Sequence, residues 1–214
     1  MKKGLTEIVF IIDRSGSMAG LEEATTSGFN EMINKQKFLE GEAFVSTVLF
    51  DDRFEVLHNR IPLSQIKPMT TKDYYVRGMT ALLDAIGRGI TKIGNVQKYT
   101  PDEFKAEKVI FVITTDGMEN ASKEYTYEKI KKMVEHQKEK YNWEFMFLGA
   151  NIDALETAER FGIHRDRAAN YHSDDKGTRK NYKVVGEAIS SLRMTNELNA
   201  SWKDEIDEDF TTRK

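Results

Sequence analysis

Apolar positions along this chain fall into two alternating rhythms. Ile8 to Ile12 is an unbroken β-branched and aromatic run, the pattern of a parallel strand covered on both faces. From Gly20 onward, Leu21, Ala24, Phe29, Met32 and Ile33 recur near a 3.6-residue period, which predicts a helix directly after that strand. "AFVSTVLF" and "RFEVLH" read as two strands separated by Asp51-Asp52, short enough for a hairpin that places an antiparallel strand at a sheet edge. An irregular stretch from about Asn59 to Met79 comes next, and loops of that length are usually functional or disordered. A helical pattern through Ala81, Leu82, Ala85, Ile86 and Ile90 follows it. "KVIFVITTDG", "YEKIKKMVEHQKEKY", "WEFMFLGAN" and "DALETAERFG" then read as strand, helix, strand and short helix. "AANYH" reads as a last strand, ahead of a helix through Val184, Val185, Ala188, Ile189 and Leu192.

Strands alternating with helices predict an α/β domain of the doubly wound, Rossmann-like kind. Its central sheet is mostly parallel with one antiparallel edge strand, and helices cover both faces, because parallel crossovers need a helix and run right-handed. The pattern fades after Thr195. The expectation is therefore one domain over residues 1–200 and a polar, acidic C-terminal tail over 201–214, frayed or solvent-covered, in which Trp202 docks. In open sheets of this kind ligands sit beyond the carboxyl ends of the strands, where the strand order reverses.

Composition narrows the function. Across 214 residues, 39% hydrophobic and 31% charged residues describe a folded chain with a heavily solvated surface. A net charge of -3 supplies no field for nucleic acid or an anionic membrane, so neither is an expected partner. The Lys129 to Lys140 face alternates with Glu128, Glu135 and Glu139 and reads as a solvated helix side. No stretch approaches the roughly 20 apolar residues that span a bilayer. The opening "MKKGLTEIVFII" has an apolar run of only five residues between Glu7 and Asp13, too short for an export signal. With no cysteine, a reducing compartment fits, and the expected location is cytoplasmic.

Two central strands end alike, in "IIDRSGSM" and "ITTDGMEN". If they are neighbours, Asp13 and Asp116 project into one crevice, where two close carboxylates repel unless a proton or a cation lies between them. Ser15 and Ser17 follow Asp13 closely enough for a tight turn to aim their oxygens at the same point. Carboxylate and hydroxyl oxygens suit a hard cation rather than zinc, Mg²⁺ first, with Mn²⁺ or Ca²⁺ as alternatives. Taken alone, "DRSGSM" reads equally as a strand-to-helix turn in which Asp13 or a serine caps the helix.

With a third piece added, the set resembles the von Willebrand factor type A domains and their metal-ion-dependent adhesion site. The family's Asp-x-Ser-x-Ser stands here as Asp13, Ser15 and Ser17, its mid-chain threonine as Thr80 in "RGMTAL", and its later aspartate as Asp116 in "TTDG". Where many members carry a second glycine before the threonine, this chain has Met79. The resemblance covers roughly residues 5 to 195 in element order and is of the freestanding bacterial or phage type. It implies that the serines and the threonine bind the metal directly while the aspartates act largely through water or hydrogen bonds. It further implies a partner protein that completes the coordination with an Asp or Glu, and no catalysis.

Other readings carry less. A magnesium-dependent phosphoryl transferase like the haloacid dehalogenases wants a second aspartate two residues after the first, where Ser15 stands. A serine hydrolase lacks its G-x-S-x-G turn and a placed histidine, and a scaffold with an inactive metal site would not be expected to keep every hydroxyl. Glu119 and Asn120 read as a solvated loop, and Asp153 as a helix cap rather than part of a ligand rim with Asn151. Tyr74 and Tyr75 fit either exposed contacts near the metal or packing against the sheet.

Overall fold

The computed structural model describes residues 1–213. Six strands, β1 (Lys2–Asp13), β2 (Glu42–Phe50), β3 (Phe54–Pro62), β4 (Ala106–Thr115), β5 (Glu144–Gly149) and β6 (Ala168–Asn170), form one sheet in the order β3-β2-β1-β4-β5-β6. Every neighbouring pair is parallel except β2 with β3. The helices are α1 (Glu22–Lys37), α2 (Leu82–Tyr99), α3 (Tyr127–Tyr141), α4 (Ala154–Arg160), α5 (Asp175–Thr195) and α6 (Asp204–Thr212). This is the doubly wound architecture that the alternating rhythms predict.

Period-two alternation splits each central strand between two cores. Ile8, Phe10 and Ile12 of β1 join Val112 of β4 and Met146 of β5 beneath α1 and α5, whereas Val9 and Ile11 join Phe111 and Phe147 beneath α2 and α3. Because β1 and β4 are hidden on both faces, their sequences are unbroken apolar runs. Their hydrogen-bonded partnership, Ile12 opposite Thr114, brings the two aspartate-bearing ends side by side at the point where strand order reverses.

Two stretches are more ordered than their sequences imply. β3 continues through Asn59 to Pro62, and the loop beyond it is pinned by Leu63, Ile66, Met69 and Tyr74, all buried. Tyr74 is fully inaccessible and therefore packs rather than presenting itself to a partner, while Tyr75 is 42% exposed. Where fraying is expected after Thr195, a turn at Ala200–Lys203 leads into α6. Its Ile206 is buried, and Asp209 is gripped by Lys176 at 3.3 Å, Lys180 at 3.0 Å and Arg213 at 2.6 Å. Trp202 docks by donating its Nε1 hydrogen to the Asp166 carbonyl at 2.7 Å. Of the span 201–214, Lys214 lies outside the described residues. No helix among the described residues is long and apolar enough to cross a membrane.

Candidate metal centre

Three loops at the carboxyl ends of β1 and β4 build the site. The first leaves β1 at Asp13 and makes a single 3-10 turn over Gly16–Met18 before α1. Asp13 is fully buried; its Oδ1 accepts the Ser15 amide at 2.7 Å and its Oδ2 accepts the Thr115 hydroxyl at 2.5 Å. Tyr74 donates to the Asp13 carbonyl at 2.6 Å and anchors the strand end from below. Ser15 Oγ and Ser17 Oγ lie 3.2 Å apart, and Ser17 donates to Asp116 Oδ1 at 2.5 Å. The other Asp116 oxygen accepts from Ser173 at 3.2 Å.

Thr80 arrives on the second loop. Its Oγ1 stands 3.3 Å, and Ser17 Oγ 3.1 Å, from the position that a Cβ on Gly117 would take. All five predicted positions thus meet in one crevice. Asp13, Ser15, Thr80 and Asp116 are buried and Ser17 is exposed, so the cluster opens to solvent past Ser17. Burial raises the Asp13 carboxyl to about 6, opposed by the hydrogen bonds from Thr115 and Ser15 and reinforced by the charge of Asp116. Burial also raises Asp116, against hydrogen bonds from Ser17 and Ser173. Two desolvated carboxylates beside three hydroxyls form an oxygen-only donor set whose charge a hard dication would balance. Among the described residues, no group of three or more His, Cys, Asp or Glu is placed to hold a metal, so any cation held here relies on the hydroxyls.

The loop after β4 stays partly exposed, as its polarity implies, but its polar side chains are committed to helix α2 and to Thr80. Ala81, at the N-cap of helix α2, offers no capping side chain, so the helix's free amides are satisfied from across the crevice. Glu119 accepts from the Leu83 amide at 2.9 Å and Ser122 Oγ from the Asp84 amide at 3.0 Å. Asn120 accepts the Thr80 amide at 2.9 Å and returns its own amide to the Thr80 carbonyl at 3.0 Å. No local signal discloses this, because Thr80 in "GMTALLD" is itself a candidate cap. Asp153 caps α4 by accepting the Glu156 amide at 2.9 Å, as its position predicts.

Asn120→Ala is expected to free the Thr80 backbone, speeding amide exchange of Thr80 and costing about 1 kcal/mol of stability. Exchange mass spectrometry of the segment around Thr80 checks this, and unchanged protection would show that the loop holds without the side chain.

No protein-family model matches the chain, and no curated protein matches it. Solved structures do. A variant of the PilB minor pilin of Streptococcus sanguinis superposes with a TM-score of 0.59 at 12% identity, over 90% of this chain and 63% of that one. Proximal thread matrix protein 1 of the mussel byssus, with a zinc-occupied metal-ion-dependent adhesion site, gives 0.56 at 15% identity over 87% and 46%. The von Willebrand factor domain of Mfa5, a type V pili tip protein of Porphyromonas gingivalis, gives 0.62 at 9% identity over 91% and 98%. This chain thus spans less than two thirds of the pilin and of the byssus protein.

These neighbours overturn the cytoplasmic expectation, because pilins and pilus tip proteins are surface or extracellular proteins. The expectation rested on a missing cysteine and a short apolar run, and neither requires a reducing compartment. Strand order, the crevice between β1 and β4 and the superpositions agree: the chain has the von Willebrand factor type A fold.

Proposed function

We propose that the chain is a metal-dependent protein-binding module in which a divalent cation at this crevice captures an acidic residue of a partner protein. The carrying observation is the convergence of Ser15, Ser17 and Thr80 hydroxyls on the buried Asp13 and Asp116. Ser15, Ser17 and Thr80 would hold the ion, with Asp13 and Asp116 orienting those hydroxyls and balancing its charge. An ion ligated mostly by neutral oxygens stays electrophilic and attracts a carboxylate from outside. Mg²⁺ suits the donors best, with Mn²⁺ or Ca²⁺ next; the zinc in the byssus protein's site supports a divalent ion generally.

Capture is the reading that the pilin and pilus tip neighbours support. Ser15 Oγ and Ser17 Oγ bond to each other, Ser17 also donates to Asp116, and neither hydroxyl meets a histidine among the described residues. Met79 and Met118, 57% and 74% exposed beside Thr80 and Gly117, give the rim apolar contacts as well. The pilin and pilus tip neighbours support a protein partner.

The test is calorimetric titration with MgCl₂ and MnCl₂, followed by selection from a displayed random peptide library in Mg²⁺ or in chelator. Saturable cation binding and Mg²⁺-dependent enrichment of Asp- or Glu-containing peptides are expected. Enrichment equal in chelator would defeat the reading, and turnover of an aryl phosphate would replace it with phosphoryl transfer.

A further inference from the structure

Arg14 lies between Asp13 and Ser15, yet its guanidinium reaches the hairpin between β2 and β3 and is completely buried. Its Nε stands 3.3 Å from Asp51 Oδ2, and its Nη2 donates to Glu55 Oε2 at 2.5 Å. Arg77, from the loop that carries Thr80, takes the same two acceptors: its Nε meets Asp51 Oδ2 at 2.5 Å and its Nη2 meets Glu55 Oε2 at 3.1 Å. The Tyr75 ring lies 5.2 Å from the Arg14 guanidinium carbon and 5.3 Å from that of Arg77.

Asp51 is the hub. Fully buried, it accepts the Arg53 amide through Oδ1 at 2.7 Å, while its carbonyl accepts the amide of Ala81, next to Thr80, at 2.9 Å. Backbone bonds run parallel to the ion pairs: the Arg77 amide donates to the Arg14 carbonyl at 2.9 Å, and the Gly16 amide to the Gly78 carbonyl at 3.2 Å. Gly78 sits at φ +67, and a Cβ there would fall 2.2 Å from Asp52 Oδ1, so the hairpin presses directly on this junction.

We infer that Arg14, Asp51 and Arg77 form an ionic clamp, buried at Arg14 and Asp51, that fixes the loop of Ser15 and Ser17 against the loop of Thr80, making Asp51 a positioning residue for the proposed cation. The inference rests on the metal reading for its ligand, but the coupling of the loops stands on the contacts alone. Stability is a poor account of the arrangement. Apolar side chains of similar volume commonly replace a buried ion cluster without loss, but they do not fix direction. A charge-matched set of two cations and two anions at the junction of two ligand loops supplies that direction. Two donors of Arg14, Nε and Nη1, make no hydrogen bond, so the compensation of its buried charge falls on Asp51 and Glu55.

The experiment compares Asp51→Asn and the milder Glu55→Gln with Glu7→Gln. Glu7, buried on β1, pairs with the half-buried Arg60 of β3 at 2.8 Å and bonds to no residue of the site. Two quantities are read: Mn²⁺ affinity by calorimetry, and amide exchange at Gly16 and Arg77 in chelator. Asp51→Asn is expected to weaken Mn²⁺ binding about 10–100-fold and to speed exchange at both amides, with Glu55→Gln shifting both in the same direction. Glu7→Gln is expected to change neither. Wild-type affinity and wild-type exchange in both clamp variants would overturn the inference, as would an equal loss of affinity in Glu7→Gln. Should the wild type itself bind no Mn²⁺, the metal reading fails and Asp51 positions no cation, while the exchange data still decide whether the clamp couples the loops.

Discussion

Asp13→Asn is expected to weaken Mg²⁺ or Mn²⁺ binding by about 100-fold while leaving the fold intact. The new side chain has nearly the same shape, and its carbonyl oxygen can still accept the Ser15 amide that Asp13 Oδ1 accepts at 2.7 Å. Its NH₂ group would face Thr115 Oγ1, which can turn its own hydrogen to the Gly117 carbonyl 3.2 Å away. The hydrogen-bond network therefore survives with one reversal. What disappears is a negative charge held in a fully buried position, where burial has already raised the carboxyl to about 6. At neutral pH in chelator the wild type holds an ionised group that its surroundings disfavour, and the variant does not. The variant should thus melt no lower than the wild type in chelator and lose the upward shift that Mg²⁺ gives the wild type. Calorimetry and paired melting curves test both halves. Equal cation affinity in the two proteins would remove Asp13 from the site.

This opposition between stability and binding bears on what the sequence could disclose. Central strands β1 and β4 were legible because burial on both faces leaves an unbroken apolar run, and the ligand-bearing aspartates stand where each run stops. The positions that orient those aspartates were not. Thr115 and Ser173 act through contacts with residues 102 and 57 positions away. No local pattern records such pairings. Glu119 and Asn120 look like loop residues for the same reason, their acceptors being committed to amides about 40 positions earlier.

Helix α6 escaped notice on different grounds. Its sequence carries Ile206 as a buried anchor but no apolar stripe, and its docking is ionic. Three cations surround Asp209 and hold its carboxyl at about 2 despite the cost of burial, an arrangement that reads in sequence as an acidic, solvated tail. Similarly, β3 outruns its apolar run because as an edge strand it needs only one covered face and tolerates a bulge, so Asn59 and Arg60 stand at a register shift between the His58–Thr47 and Ile61–Val45 pairs. Arg14 carries no signal in the sequence, since a side chain buried against a distant hairpin cannot be distinguished there from one in solvent.

Gly117 allows the cation reading to be tested without touching any of its proposed ligands. The residue follows Asp116, and its missing Cβ would lie 3.1 Å from Ser17 Oγ and 3.3 Å from Thr80 Oγ1, between the two hydroxyls that the proposal places on the ion. Both distances are tighter than ordinary van der Waals contact, but neither demands that the backbone move. Gly117→Ala should therefore push one hydroxyl aside by a few tenths of an ångström and weaken Mg²⁺ binding within about tenfold, an outer-sphere disturbance. Gly117→Val adds two methyl groups beyond that point, stiff at χ1 and unable to withdraw into the packed crevice. Binding should then fall below detection, a loss of at least about 100-fold, with the melting temperature in chelator changed by only a few degrees because the site opens to solvent past Ser17. The graded pair separates blockage from unfolding, which a single bulky replacement would not. Calorimetry of the three proteins decides the matter: if the valine variant binds Mg²⁺ as tightly as the wild type, no cation lies between Ser17 and Thr80.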